Sequence, residues 1–211
     1  MLRRCFLTTA VLLTAGTLAP SIAAAAESDP AALINNLGSQ FQAVTRNTSP
    51  EQKRAAFREL FRENFDGRRL GRFVLGRFWR ILTPPERREF LALFENYVVL
   101  TYSEKLSKYA EDGGGPRVTG TRPGPVGTIV STEIIGGSGP RAGGGQMAQP
   151  IKIDWLVTEK DGACKIRDVI IDGLSLAANG RSELEGVVER NGGRAQAILA
   201  VMRQQIASAA R

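Results

Sequence analysis

Residues 150–172 read PIKIDWLVTEKDGACKIRDVIID, and this stretch decides the fold class. Its first half alternates apolar and polar side chains, which is the pattern of a β-strand with one buried face. The Lys160–Gly162 segment is a strong hairpin signal, because Asp-Gly adopts the tight turn that joins antiparallel strands. The stretch therefore predicts two antiparallel strands. The apolar face of the first strand carries Ile151, Ile153, Trp155 and Val157.

The same alternation extends to a meander of four predicted strands. They cover residues 117–122, 126–135, 150–159 and 164–172. The glycine-rich residues 136–149 lack the Gly-Lys-Ser/Thr ending of a phosphate loop and predict a hairpin loop. In the fourth strand, Ile166 is out of phase with Val169 and Ile171. Either a β-bulge or burial on both faces would produce this phase, and the sequence leaves both open.

Helices are predicted on both sides of the meander, because apolar residues recur there at spacings of three and four. Ser49–Glu51 and Thr83–Glu86 each read as an N-cap followed by the first turn of a helix. Helices, then a meander, then helices is the order of an α+β fold. The expected helices cover residues 30–47, 50–65, 68–79, 84–109, 181–190 and 195–209.

The first 26 residues have the three zones of a secretory signal peptide. Arg3-Arg4 is the basic zone, residues 5–18 are the apolar zone, and Ala23–Ala26 precedes the expected cleavage. The apolar run is shorter than the roughly 20 residues of a membrane-crossing helix, so we expect removal rather than anchoring. The Arg pair is also similar to a twin-arginine signal, although general secretion is the expected route. Residues 27–211 are then expected to form a single domain.

The composition excludes several kinds of catalytic site. The chain has no His, which rules out Ser-His-Asp and Cys-His nucleophiles and imidazole-ligated zinc unless a partner supplies the group. We expect no metal and no cofactor. Lys and Arg outnumber Asp and Glu by 28 to 21, but export and the scatter of the Arg residues argue against nucleic acid as a partner. Cys164 is the one cysteine left after cleavage, and it is either a reactive thiol or a small buried strand residue.

Six short motifs go beyond periodicity. They are Phe61–Asp66 (FRENFD), Leu75–Trp79 (LGRFW), Thr83–Phe90 (TPPERREF), Thr101–Tyr102, Asp168–Leu176 (DVIIDGLSL) and Arg181–Leu184 (RSEL). In this order they are similar to the signature of the MlaC family, also called toluene-tolerance auxiliary proteins, which are periplasmic phospholipid-binding proteins. A related subgroup associated with hopanoid biosynthesis, HpnM, shares the same pattern.

The resemblance implies both a fold and a function. The fold would be α+β, with a helical layer packed on a highly curved four-stranded antiparallel sheet that encloses an apolar cavity for acyl chains. The protein would shuttle lipid between an inner-membrane ABC transporter complex and an outer-membrane lipoprotein complex, and so maintain outer-membrane lipid asymmetry. The cargo would be a phospholipid or, in the HpnM branch, a hopanoid or other triterpenoid. Cys164 departs from the family pattern, which usually has an aromatic residue there.

The predicted apolar faces supply candidate cavity walls, because every acyl methylene kept out of water is worth about 0.8 kcal/mol. Each candidate has an equal alternative as an ordinary core residue. The basic residues Arg68, Arg69, Arg72, Arg77 and Arg80 either attract anionic head groups or acidic partner surfaces, or form a solvated helix face. The candidate lining residues are Val74, Phe78, Phe94, Val98, Tyr102, Val130, Ile151, Ile153, Trp155, Val169 and Ile171.

An enzyme is the alternative from another functional class. It would use a buried strand carboxylate as a general base on an apolar substrate, and Asp154, Asp168 and Asp172 are the candidates. Asp154 falls on the predicted polar face and Asp168 in the strand with the phase slip, which favours salt bridges or hydrogen bonds to neighbouring turns. We therefore expect a binding protein rather than an enzyme.

Overall fold

A computed structural model describes residues 29–45, 49–111, 116–134 and 150–209 of the chain. The predicted signal peptide, residues 1–26, and the predicted glycine-rich loop, residues 136–149, lie outside the described residues. Cleavage after Ala26 and a hairpin loop between the second and third predicted strands therefore stay predictions.

Within the described ranges, four α-helices precede the sheet. They are α1 (Pro30–Thr45), α2 (Pro50–Asn64), α3 (Gly67–Leu75) and α4 (Pro84–Glu111). At α2, the Ser49 hydroxyl accepts a hydrogen bond from the Gln52 N–H at 3.2 Å. At α4, the Glu86 carboxylate accepts from the Thr83 N–H at 2.7 Å, and the Glu86 N–H donates to the Thr83 hydroxyl at 3.5 Å. These bonds satisfy N–H groups that have no partner within the helix, and they confirm both predicted caps.

The prediction of one continuous helix over residues 68–79 is wrong. The α3 helix ends at Leu75, and a 3₁₀ turn, Gly76–Arg80, follows it. Gly76 has φ +57° and ψ −129°, a conformation that is open to glycine and breaks the α-helical ladder. The sequence pattern missed this break because a glycine within a helical period also fits a close helix contact.

Two helices follow the sheet, α5 (Leu176–Arg190) and α6 (Ala197–Ala209). Helix α5 begins at Leu176 and not at the predicted Arg181. The cause is a cap that the pattern did not indicate: the Ser175 hydroxyl accepts a hydrogen bond from the Ala178 N–H at 3.0 Å.

The meander forms one sheet in which all neighbouring strands are antiparallel, in the order β1-β2-β3-β4-β5. The strands are β1 (Pro116–Pro123), β2 (Thr128–Ile134), β3 (Ile151–Lys160), β4 (Ala163–Ile171) and β5 (Leu174–Ser175). Strand β5 corrects the prediction of four strands. Asp172 and Gly173, with φ 48° and 84°, turn the chain back so that Leu174 pairs with Ile171.

The sheet is open and not strongly curled, which corrects the expectation of a highly curved sheet. Its linear strand order leaves β1 and β5 as separate edges. The phase of Ile166 comes from a β-bulge: Leu156 lies opposite Asp168 and Val157 opposite Ile166, so Arg167 is the extra residue. The bulge keeps Ile166 fully buried and resolves the alternative that the sequence left open.

Two apolar cores hold these elements together. The helical core lies among α3 to α6 and includes Val74, Leu75, Phe78, Phe90, Phe94, Val187, Ile198 and Met202. The sheet core lies between α1, α2 and the sheet and consists of Ile34, Leu37, Leu60, Val130, Val157, Cys164 and Ile166. Phe65 packs against both cores. Helix α4 packs mainly on the other helices, whereas α1 and α5 pack on the sheet.

Candidate functional site

The predicted lining residues of the sheet share one face. The strand register places Val130, Trp155 and Val169 in one cross-strand row and Ile153 beside Ile171 in the next. Ile151 follows at the end of this face, opposite Ile134. The alternation pattern therefore correctly predicts that these side chains share one face of the sheet.

The residues of this apolar face are buried to different extents. Val130 is fully buried in the sheet core, and Trp155 and Val169 pack against that core while partly exposed. At the other end of the face, Ile151 and Ile171 are half-buried and Ile153 is 5% exposed. None of these three isoleucines belongs to either core formed by the described residues.

The apolar face is held in register by a buried polar pair that the sequence analysis missed. The Trp155 indole Nε1–H donates to the Thr132 hydroxyl at 2.9 Å, and that hydroxyl donates to the Ile153 carbonyl at 3.1 Å. Thr132 is 1% exposed, so these bonds satisfy polar groups that have no access to water. They also fix the orientation of the Trp155 ring on the apolar face.

The predicted lining residues on the helices occupy a different place from those on the sheet. Val74, Phe78 and Phe94 are buried in the helical core, and Val98 packs against it while partly exposed. Tyr102 lies one turn further along α4, is half-buried, and belongs to neither core. Burial raises the pKa of the Tyr102 hydroxyl, so the phenol stays neutral at physiological pH.

A basic cleft of about 700 Å³ lies in the described part of the chain. Its lining residues are Arg69, Arg72, Phe73, Gly76, Arg77, Trp79, Arg80, Arg167 and Arg181. Four of the five arginines singled out in the sequence lie here. Arg68 does not, because it lines a separate depression of about 340 Å³ beside Phe61 and Leu91.

Two arginines of the basic cleft escaped the sequence analysis. Arg167 is the extra residue of the β4 bulge, so alternation alone could not assign its direction. Arg181 comes from α5, and its Nε–H donates to the Phe73 carbonyl at 2.9 Å. A Cβ at Gly76 would lie 3.0 Å from that Nε, so the glycine leaves room for Arg181.

Comparison with known proteins identifies the family. The model of the MlaC protein family matches residues 33–204. The chain belongs to the MlaC family. A solved structure with a similar fold is that of a phospholipid-binding protein from Ralstonia solanacearum in complex with a phospholipid. It is 17% identical, with a TM-score of 0.70, and the match covers 87% of this chain and 99% of that one. A search of curated proteins gave no match.

The strand carboxylates of this MlaC protein have structural partners. Asp154 accepts hydrogen bonds from Arg122 at 2.7 Å and Ser131 at 2.6 Å. Asp168 accepts from the Ser175 hydroxyl at 2.5 Å and from the Ala177 N–H at 3.1 Å. Asp172 accepts from the Lys152 N–H at 3.4 Å. The prediction of salt bridges or hydrogen bonds to neighbouring turns is confirmed for Asp154 and Asp168.

Cys164 of this MlaC protein is a buried strand residue. It is 4% exposed and packs in the sheet core, where burial raises the pKa of its thiol. A buried neutral thiol is a poor nucleophile, which confirms the interpretation of Cys164 as a small apolar residue.

None of the helices that the structure describes combines the length and apolar character needed to cross a membrane. Within the described ranges, no cluster of His, Cys, Asp and Glu could hold a metal ion.

Proposed function

We propose that this MlaC protein is a periplasmic lipid carrier that shields phospholipid acyl chains from water. The chains lie in an apolar cavity between the sheet and α4. The observation that carries the proposal is the end of the sheet face, where Ile151 and Ile171 are only half-buried and belong to neither core of the described residues. The phospholipid in the similarly folded Ralstonia protein supports the same reading.

The physical argument concerns apolar surface that the protein core does not use. Ile151 and Ile171 keep part of their side-chain surface exposed to water. Relative to burial, each Å² of exposed apolar surface is unfavourable by about 25 cal/mol. An acyl chain seated on them removes both their surface and its own from water. Val98 and Tyr102 on α4 form the opposite wall in this proposal. The candidate residues that are buried in the helical core, Val74, Phe78 and Phe94, pack behind this wall.

The carrier acts in the periplasm, after removal of residues 1–26. It exchanges lipid with an inner-membrane ABC transporter complex and an outer-membrane lipoprotein complex, and so maintains the lipid asymmetry of the outer membrane. The direction of transport belongs to these partners, because a carrier without an energy source only equilibrates its cargo between them.

The cavity placement is tested by Ile151→Arg. A guanidinium group on this apolar face meets acyl methylenes instead of water, so we expect the variant to retain at least about tenfold less lipid while remaining folded. The measurement is uptake of a fluorescent phospholipid from liposomes, with circular dichroism as the check of folding.

Val126→Arg is the matched control, because Val126 is 50% exposed and lies in the turn between β1 and β2, at the end of the sheet away from Ile151. It introduces the same side chain and charge, and we expect lipid uptake to be unchanged. Equal uptake by the wild type, Ile151→Arg and Val126→Arg would show that acyl chains do not contact this end of the sheet.

A further inference from the structure

The basic cleft concentrates positive charge that the protein does not neutralise. Its six arginines come from four elements: α3, the 3₁₀ turn, the β4 bulge and α5. Of these six arginines, only Arg69 has a carboxylate of the described residues within ion-pair distance, at 3.6 Å from Asp66. Like charges held together are unfavourable unless an anion compensates them. The cleft therefore has the charge of an anion-binding site.

Aromatic rings and a backbone carbonyl also hold two of these guanidinium groups in place without neutralising their charge. Arg181 lies 4.2 Å from the centre of the Phe73 ring and donates to the Phe73 carbonyl. Arg72 lies 5.7 Å from the centre of the Trp79 ring. Aromatic faces attract guanidinium groups but leave their N–H donors free for a ligand. This preorganisation lowers the entropy that binding would otherwise cost.

The shape of the cleft indicates the size of its ligand. A volume of about 700 Å³ lies within the usual range of sites for small molecules and lipid head groups. Planar guanidinium forks bind phosphate oxygens in pairs, which is the geometry that favours arginine over lysine.

We propose that the basic cleft is a binding site for a phosphate-bearing anion. Its guanidinium groups donate hydrogen bonds to the phosphate oxygens, and Phe73 and Trp79 contact the rest of the ligand. The phosphate comes either from the head group of an anionic lipid or from a soluble phosphate compound. The site goes beyond the proposed carrier function, because it is built from residues outside the proposed acyl-chain cavity.

The test removes two cleft arginines from different elements, as Arg72→Gln with Arg167→Gln. Pyrophosphate binding is measured by titration calorimetry, and vesicle binding by cosedimentation with phosphatidylcholine alone or mixed with phosphatidylglycerol. We expect the double variant to weaken binding of at least one phosphate probe by about tenfold or more, since each substitution removes charge-assisted hydrogen bonds to the phosphate oxygens. Arg77→Gln is a milder second variant and is expected to weaken the same probe.

The matched control is Arg68→Gln with Arg194→Gln, which removes the same charge outside the cleft. We expect the control to bind like the wild type. Loss of pyrophosphate binding in the cleft variant assigns a soluble ligand, whereas loss of binding to phosphatidylglycerol vesicles alone assigns a lipid head group. Equal weakening by cleft and control variants, no binding of either probe, or tighter binding of polyglutamate than of both probes would overturn the proposal. Phospholipid uptake by the same variants separates the two proposals, because we expect it to be unchanged.

Discussion

Asp168 joins the sheet to α5 through one side chain. It lies beside the β4 bulge and accepts hydrogen bonds from the Ser175 hydroxyl and the N–H of Ala177, in the first turn of the helix. A carboxylate at the N-terminus of a helix also interacts favourably with the helix dipole. The same residue was a candidate catalytic base, so its substitution separates a structural role from a chemical one.

We expect Asp168→Ala to lower the free energy of unfolding by about 1–3 kcal/mol, because it leaves partly buried donors without their acceptor. Urea denaturation measures this change. Glu189→Ala, at an exposed position of the same helix, is the control and is expected to change stability by less than about 0.5 kcal/mol. A variant that kept its stability would contradict the structural role of Asp168.

At the scale of secondary-structure elements, the break between α3 and the 3₁₀ turn shapes the basic cleft. The turn directs Arg77 and Arg80 to the same concavity as Arg69 and Arg72. The conformation of Gly76 makes this break and leaves space for Arg181. One glycine therefore links the local backbone to the geometry of the cleft.

Gly76→Ala should therefore affect both stability and anion binding. A side chain at φ +57° is strained by at least about 1–2 kcal/mol, and the new Cβ would displace Arg181. Thermal unfolding and pyrophosphate titration measure the two effects. The control is Gly180→Ala within α5, where the new Cβ would lie at an ordinary contact distance of 3.4 Å from Val74 of α3. If Gly76→Ala were as stable as this control, backbone strain would not explain the break.

The elements differ in how far the sequence could predict them. Caps and hairpin turns depend on adjacent residues, so Ser49, Thr83 and Asp161-Gly162 were sufficient to place them. In the sequence, the bulge at Arg167 is visible only as a change in the phase of the alternation. Burial on both faces of the strand would produce the same change. The break at Gly76 and the early start of α5 were missed, since their signals are a positive φ and a single hydroxyl cap.

The candidate site was harder to predict than the fold for a physical reason. Periodicity identifies which face of a helix or strand is buried, but not which neighbouring element packs against that face. Val74 and Phe94 therefore belong to the helical core, whereas Ile151 is half-buried at the end of the sheet face and belongs to neither core. The cleft arginines at positions 167 and 181 are brought to α3 only by the tertiary structure.

At the scale of the whole molecule, the fold separates two kinds of surface. The apolar sheet face suits acyl chains, and the basic cleft suits a phosphate group. The match to the MlaC family covers residues 33–204 and therefore includes both surfaces. Whether the protein carries lipid in an acyl-chain cavity is therefore decided by the identity of the molecule that it holds.

The decisive measurement is native mass spectrometry of the mature protein, purified from a bacterial periplasm without detergent, together with analysis of its organic extract. The carrier proposal predicts that phospholipid accompanies the protein in stoichiometric amount and leaves when the protein unfolds. A triterpenoid, in a host that makes hopanoids, would instead assign the chain to the HpnM branch of the family. A protein that is empty and also takes up no lipid from liposomes would contradict the account.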